Sequence, residues 1–297
     1  MAAPRYIPPY RIISLSSIFM YVVLTVSWAV FSGPTGYISL ASAAFFGIGI
    51  YISAILGQVF FLPVVIFLGG LISFLFAFLV GLSTLRLRGM YFSIFTFGLS
   101  ELIRHCVQWW EVNIAGTVGR WVIGIDHTTV YYGMLVIVLM TLTMAYLIKQ
   151  SKFGLALQSI GESEEAADHI GIQVNILKVI TFAFSAFFMG ACGALMATRW
   201  TYIDPSVAFN PLFSFMPVLM AIFGGIGKIY GQVLGAIIFT YLADILLTKF
   251  PYYYMLLYGI ILVIVIMFLP KGIAGGLGKA IKRWQKGEDG KGLQHLG

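Results

Sequence analysis

Residues 149–178 read KQSKFGLALQSIGESEEAADHIGIQVNILK and form the only long polar stretch between apolar runs. Before it stands YYGMLVIVLMTLTMAYLI, residues 131–148, and after it VITFAFSAFFMGACGALMA, residues 179–197. Each of these runs has about the length of a helix that crosses a bilayer. Because a backbone in hydrocarbon must satisfy its own hydrogen bonds, we predict that both runs are helices. The pattern indicates two membrane helices joined by a polar loop in water.

The composition extends this prediction to the whole chain. Of the 297 residues, 60% are hydrophobic and only 10% are charged, and the mean hydropathy is +0.96. A soluble domain has about 25% charged residues, so an ordinary soluble protein and a disordered chain are excluded. The two cysteines lie inside apolar runs, which excludes a disulfide scaffold and a cysteine metal site. We therefore predict a single all-α polytopic membrane domain over residues 1–297.

Apolar runs of spanning length recur along the sequence, and they predict about eight to ten transmembrane helices. The runs cover residues 12–31, 38–57, 60–82, 90–108, 131–148, 179–197, 212–227, 229–247 and 254–270. The alternation typical of transmembrane β-strands is missing from them.

Lysine and arginine residues indicate which loops face the cytoplasm. They are concentrated in three stretches, 85–89, 149–178 and the tail 271–297, while the alternate loops are poorer. A basic tail suits nucleic acid or anionic headgroups. Beside so much apolar sequence, we favour contact with membrane lipids over nucleic acid.

The side of the N-terminus stays open at this stage. Counting back through nine helices from a cytoplasmic tail places the N-terminus outside, although Arg5 and Arg11 favour the inside. A broken or re-entrant segment around residues 32–36 would remove the conflict. The number of crossings before residue 90 is therefore undecided.

The centre of the polar loop 149–178 predicts a short capped helix. Ser163 is a typical N-cap, two glutamates follow it where the helix dipole favours negative charge, and Gly171 suits a left-handed C-terminal cap. A solvated surface helix is the ordinary interpretation, but two adjacent alanines favour a docking face. The residues of this predicted helix are Ser163, Glu164, Glu165, Ala166, Ala167 and Gly171.

Residues 165–171 read E-A-A-x-x-x-G, which resembles the cytoplasmic motif with which membrane subunits of ABC importers contact their ATPase. Three further stretches resemble the permease subunits of branched-chain amino-acid importers of the LivM type. They are LRLRGMYFSIFTFGLSELIR (85–104), FGGIGKIYGQVLGA (223–236) and FLPKGIAGGL (268–277). The resemblance runs from about Gly33 to the tail. Gln158 and Ser159 depart from it, because basic residues are commoner before the motif.

The resemblance implies a type II ABC importer permease in the bacterial inner membrane. Such a subunit pairs with a second homologous permease, identical or different, and with two ATPase subunits and an external solute-binding protein. Branched-chain amino acids are the leading solute, although related permeases carry urea, amides and other small polar solutes. The six residues of the predicted docking helix would then contact the ATPase. The alternative is a secondary transporter or channel that works alone.

The fourth apolar run contains Glu101, Arg104 and His105, whose spacing places them on one helix face. Glu101 lies about 18 Å along a helix from Gly89. A charge at that depth must be paired or face water. Either a pathway-lining patch or a structural Glu101–Arg104 pair fits, and we favour the pair. Asp244 is a similar case near the end of the eighth run.

Glycines predict close helix packing within the subunit. FFGIGIYISAILG, residues 45–57, also aligns with FGGIGKIYGQVLG, residues 223–235, which indicates a faint internal repeat or chance. The glycines predicted to mediate packing are Gly47, Gly49, Gly225, Gly227, Gly231 and Gly235.

Enzyme motifs are missing from the sequence. It lacks a P-loop, an H-E-x-x-H metal site and a G-x-S-x-G nucleophile motif. We expect no covalent chemistry, metal or cofactor on this chain, with ATP hydrolysed by partner subunits. An intramembrane enzyme is the weakest of the three classes considered.

Overall fold

The computed structural model describes residues 9–87 and 89–268. Twelve α-helices, one π-helical turn and two short strands follow one another in this part of the chain. They are α1 (Pro9–Thr35), α2 (Ser42–Leu56), α3 (Leu62–Thr84), α4 (Met90–Trp110), the π-helical turn (Glu111–Ala115), β1 (Arg120–Trp121), α5 (His127–Gln150), α6 (Lys152–Glu162), α7 (Glu164–His169), α8 (Val174–Ala197), β2 (Tyr202–Ile203), α9 (Pro205–Ala208), α10 (Leu212–Gly224), α11 (Ile229–Lys249) and α12 (Tyr254–Phe268). The basic tail 271–297 lies outside the described residues.

Each predicted apolar run coincides with one of these helices. Within the described residues, six stretches are long and apolar enough to cross a membrane: α1, α3, α5, α8, α9 with α10, and α11. The helix α2 is apolar but has only 15 residues. The helix α4 has 21 residues, but it carries an acidic and a basic side chain. The prediction of an all-helical polytopic membrane protein is confirmed.

The helix α8 is the centre of the bundle, packed between α2 and α3. Its contacts depend on glycine, because only a residue without Cβ lets two helix backbones touch. A Cβ atom added at Gly49 would overlap the Gly190 carbonyl, and one added at Gly193 would overlap the Phe46 carbonyl. Aromatic rings of Phe31, Phe45, Phe92 and Phe182 fill the space beside these contacts.

The bundle has two distinct ends. At the α6–α7 end, Lys149 Nζ donates a hydrogen bond to the Gly227 carbonyl at 2.8 Å. The backbone there is tight, because a Cβ atom added at Gly161 would overlap the Pro34 carbonyl near the end of α1. At the other end, β1 and β2 pair in antiparallel fashion. We call this second end the strand end.

The helix α1 runs from the strand end to the α6–α7 end. Its first residues, Tyr10 and Ser14, donate hydrogen bonds to Asp244 Oδ2 at 3.1 and 2.7 Å, near the far end of α11. Ser17 accepts a hydrogen bond from Arg199, which follows α8. The start of α1 therefore lies at the end of the bundle opposite to α6 and α7. The helix is continuous through residues 32–35, and the irregular segment begins at Gly36.

Two helices begin inside the bundle rather than at either end. Residues 36–41 are irregular and lead from α1 into α2, while α10 begins beside them. Ser214 Oγ of α10 donates to the Leu40 carbonyl at 2.7 Å and accepts from the Ala43 amide at 3.0 Å. The Leu40 amide donates to Thr96 Oγ1 of α4. The N-termini of α2 and α10 therefore meet at depth, beside α4.

The glycine predictions divide into those that hold and those that do not. Gly47 lies against the Phe209 ring, Gly231 against Gly224, and Gly235 against the Met220 carbonyl, so these are packing positions. Two predictions are wrong, because Gly225 and Gly227 lie in the connection between α10 and α11.

Gly225 adopts a φ of 100°, a backbone conformation that favours glycine, and a Cβ atom added at Gly227 would meet open space. The internal repeat also fails. Residues 45–57 form α2, whereas residues 223–235 span the end of α10, the connection and the start of α11.

Candidate functional site

The polar loop folds as two helices, α6 and α7, that are capped as the sequence predicts. Ser163 Oγ accepts a hydrogen bond from the Ala166 amide at 3.3 Å and so caps α7. Gly171 has a φ of 87° and ends the turn that follows. Ser151 caps α6 in the same way, through the Gly154 amide.

The two alanines do not form one docking face. Ala167 is 1% exposed and packs with Ile160 and Val174 under the loop. Ala166 is exposed. Adjacent residues on a helix point about 100° apart, and here the inner position holds α7 against α6 and α8. The expectation that both alanines present one outward surface is wrong for Ala167.

Glu164 also points into the chain. Its Oε1 lies 2.7 Å from Lys178 Nζ of α8 and accepts a hydrogen bond of 2.5 Å from the Tyr37 hydroxyl. Glu165, by contrast, is exposed on the outer side of α7. The first turn of α7 therefore has one carboxylate turned inward and one turned outward.

Lys178 is the functional candidate that sequence reasoning missed. It counted only as one more basic residue of the loop, yet it lies in α8 and is 1% exposed. Its ammonium donates to Glu164, to the Leu85 carbonyl at 3.1 Å and to the Tyr37 hydroxyl at 3.3 Å. The sequence did carry a signal for this site. Lys178 borders an apolar run and lies 14 residues after Glu164. A lysine in such a position needs a polar partner once the run is buried.

A cleft of about 420 Å³ opens beside α6 at the same end. It lies between α1, α5, α6 and the connection from α10 to α11. Its polar side chains are Lys149, Gln158, Glu162 and Gln232.

The predicted Glu101–Arg104 pair is present on α4. The two side chains are 2.6 Å apart and each is about a quarter exposed. His105 is exposed beside Arg104, and Gln108 is exposed one turn further on. Buried residues such as Phe92 and Leu99 lie on the other side of the helix. The helix therefore presents a polar stripe that the described chain leaves partly uncovered.

A second buried polar group lies near the strand end and was also missed. Glu111 is fully buried, accepts a hydrogen bond from the Gly119 amide at 2.9 Å and lies 3.8 Å from Arg120 Nε. Arg120 also covers the Trp110 ring. Because residues 109–130 read as a loop, nothing in the sequence indicated that this carboxylate would be buried.

Asp204 caps α9 at the same end. Its Oδ1 accepts hydrogen bonds from the Ser206 and Val207 amides at 2.8 and 2.9 Å. Burial raises the pKa of Asp204, but these bonds and that from the Ser206 hydroxyl outweigh it and hold the pKa below its ordinary value.

Asp244 is held by Tyr10 and Ser14, so it is less isolated than the sequence indicated. Within residues 9–87 and 89–268, no three side chains of His, Cys, Asp or Glu are grouped to hold a metal ion.

Residues 10–266 match the family model described as the permease component of branched-chain amino acid transport systems. The chain belongs to this family of membrane permeases. It is therefore a transport subunit of the ABC type rather than an enzyme, and a multi-pass protein of the inner membrane in bacteria.

Similar proteins support the same family. The high-affinity branched-chain amino acid permease protein LivM of Salmonella typhimurium is 25% identical over 288 residues, which cover 86% of this chain and 67% of the relative. LivM of Escherichia coli is 25% identical over 292 residues, with the same shares of the two chains. The ribose import permease protein RbsC of Haemophilus influenzae is 27% identical over 128 residues, 41% of this chain and 40% of that protein. No solved structure matches this chain.

Proposed function

We propose that this chain is one permease of an ATP-driven importer and that it passes a small polar solute, with branched-chain amino acids as the leading candidates. The observation that carries the proposal is the α6–α7 segment. It is a capped, polar helix pair held against the bundle at one end, where a lone carrier or channel has no use for it. Both LivM relatives are branched-chain amino acid permeases by name, whereas the partial match to a ribose permease supports only a small polar solute.

The outer surface of α7 is proposed as the ATPase contact. Glu165, Ala166, Asp168 and His169 are exposed there, while Glu164 and Ala167 hold the helix to its own chain. Two ATPase subunits, one on each of two permeases, would complete the importer. ATP binding would draw the two α7 helices together and so change which side of the membrane the pathway opens to.

The polar stripe of α4 is proposed to line the pathway against the second permease. A partly exposed ion pair at this depth is costly beside lipid tails. Water in a central pathway, or polar groups of a partner permease, would remove that cost. The inner N-termini of α2 and α10 adjoin α4 and bring the positive ends of two helix dipoles to the same region. These dipoles suit the carboxylate of an amino acid in transit.

The solute affinity is proposed to reside in a separate solute-binding protein. The α4 stripe offers one carboxylate already paired with one guanidinium, which leaves little free charge to hold a zwitterion tightly. Weak contacts suit a pathway, because a tightly bound solute would leave it slowly.

Purification of the intact complex in mild detergent tests the proposal, with every co-purifying chain identified by mass. We expect an ATPase that contains a P-loop and a second polytopic subunit. When reconstituted with its solute-binding protein, the complex should take up leucine, isoleucine or valine only with ATP. A chain that purifies alone and moves solute in liposomes without ATP would instead be a secondary transporter or channel, and the proposal would be wrong.

A further inference from the structure

A buried ion pair joins α7 to the membrane helix α8. Glu164 is the first residue of α7, and its partner Lys178 lies one turn inside α8, the central helix of the bundle. The ammonium of Lys178 has three hydrogen-bond partners on three different segments of the chain. They are the Glu164 carboxylate, the Tyr37 hydroxyl and the Leu85 carbonyl. We call these four residues the junction.

Each segment of the junction leads to a different part of the proposed pathway. Tyr37 lies in the irregular segment 36–41 that enters the half-length helix α2. Leu85 lies in the connection from α3 to α4, and α4 carries the polar stripe. Tyr37 also packs edge-on against Phe92 of α4, with ring centroids 5.4 Å apart. The junction therefore joins α7 and α8 to two segments that lead into α2 and α4, which both adjoin the proposed pathway.

The burial of Lys178 makes this connection stiff. Its side chain is 1% exposed, and its ammonium lies 4.7 Å from the centroid of the Tyr37 ring. Removing the carboxylate from a buried ammonium leaves a charge without compensation, which is strongly unfavourable. The helix α7 therefore cannot move away from α8 and segment 36–41 at low cost. Any displacement of α7 must carry its partners with it.

We propose that the junction is the point where movement of α7 reaches the pathway, with Glu164, Lys178 and Tyr37 as positioning residues. This inference rests on the proposed function, because it assumes that an ATPase moves α7. It assigns Glu164 a role different from the ATPase contact that its place in the predicted docking helix implied. The carboxylate acts inside the permease, while the neighbouring Glu165 faces outward.

A purely structural role is the competing explanation, and a double substitution separates the two. Replacing both members of a buried ion pair by apolar residues is often neutral or stabilising. The variant Glu164→Leu/Lys178→Met should therefore assemble, with only the smaller loss of stability that comes from removing the Lys178 bonds to the Tyr37 hydroxyl and the Leu85 carbonyl. A structural role requires those bonds for stability alone, whereas a positioning role requires them for transport.

The experiment measures leucine uptake and ATP hydrolysis in the same proteoliposomes, using the complete importer with its solute-binding protein. For Lys178→Met and for the double variant, we expect at least a tenfold fall in leucine transported per ATP hydrolysed. The complex should still contain the ATPase and still hydrolyse ATP. Tyr37→Phe removes one hydroxyl and should lower the same ratio less. Lys249→Met, which neutralises an exposed lysine at the end of α11 and away from the α6–α7 segment, is the matched control and should leave the ratio unchanged.

The outcomes separate the two proposals. A double variant that assembles and keeps the normal ratio would show that the junction only offsets buried charge, and the inference would be overturned. If Lys178→Met does not assemble, the double variant and Tyr37→Phe decide the question. If the complex with the unsubstituted permease shows no ATP-driven uptake of any solute, the proposed function itself is wrong. The role of the junction, which rests on it, is then wrong as well.

Discussion

The carbonyl of Gly190 in α8 occupies the space that a Cβ atom of Gly49 in α2 would fill. The backbones of two membrane helices are thus in direct contact, and Gly69 of α3 lies close to both the Gly190 carbonyl and Gly49. Because apolar side chains gain nothing by leaving lipid for one another, close backbone packing supplies much of the attraction between membrane helices. This three-helix contact holds α2, which is too short to span the membrane, in its place.

Substitution at this contact should destabilise the bundle. We expect Gly49→Ala to cost about 1–3 kcal/mol, because the backbones must separate to admit one methyl group. The measurement is the thermal unfolding midpoint in detergent, followed by fluorescence. Gly227→Ala is the matched control, since a Cβ atom there meets open space. Equal midpoints for the two variants would contradict the packing described here.

The two alanines of α7 should respond differently to the same enlargement. Ala167→Trp forces a large ring into a buried site and should lower the unfolding midpoint of the permease itself. Ala166→Trp adds the ring to an exposed site and should leave the midpoint unchanged. If α7 docks on an ATPase, Ala166→Trp should weaken its co-purification. An Ala166→Trp permease that binds ATPase and transports normally would show that this face does not dock.

The apolar runs predicted the membrane helices because the bilayer imposes length and hydropathy on each helix separately. The capping roles of Ser163 and Gly171 could also be predicted, since a cap depends on residues within one turn. The partners of Lys178 could not be predicted, because Tyr37 and Leu85 lie far from it in sequence and meet it only after the helices pack. The burial of the Glu111 carboxylate was not predicted for another reason: its partners Gly119 and Arg120 are near it in sequence, but in a stretch that reads as an exposed loop. The packing roles predicted for Gly225 and Gly227 were wrong because a glycine pattern shows where the backbone lacks side chains. It does not show whether the chain there forms a helix or a turn.

The polar stripe of α4 should be accessible to water in the assembled importer. In a background without Cys106, a cysteine introduced by His105→Cys should react with a charged, membrane-impermeant thiosulfonate, and the reaction should block transport. Leu79→Cys, at an exposed apolar site on α3, should not react, because lipid tails exclude a charged reagent. If the reagent reacts with neither cysteine, the assignment of α4 to the pathway is wrong.

The Glu111–Arg120 pair should respond unequally to loss of either partner. Glu111 is fully buried, whereas the Arg120 side chain is 29% exposed. In Arg120→Met the carboxylate stays buried and keeps the Gly119 amide and the adjacent Tyr51 hydroxyl, so we expect a cost of ~1–3 kcal/mol for the lost partner. In Glu111→Gln the guanidinium can reach water and the amide oxygen can still accept from Gly119, so the cost should be about 1 kcal/mol.

Thermal unfolding of the two variants checks this order, with Arg120→Met expected to unfold at the lower temperature. Lys249→Met, also near the strand end but exposed, is the control for loss of one positive charge. The order matters for the architecture, because Glu111 and Arg120 join the end of α4 to the strand that pairs with β2. If Glu111→Gln proves the more damaging variant, the strand end depends on the negative charge of the carboxylate rather than on the bond to the Gly119 amide, which glutamine can also accept.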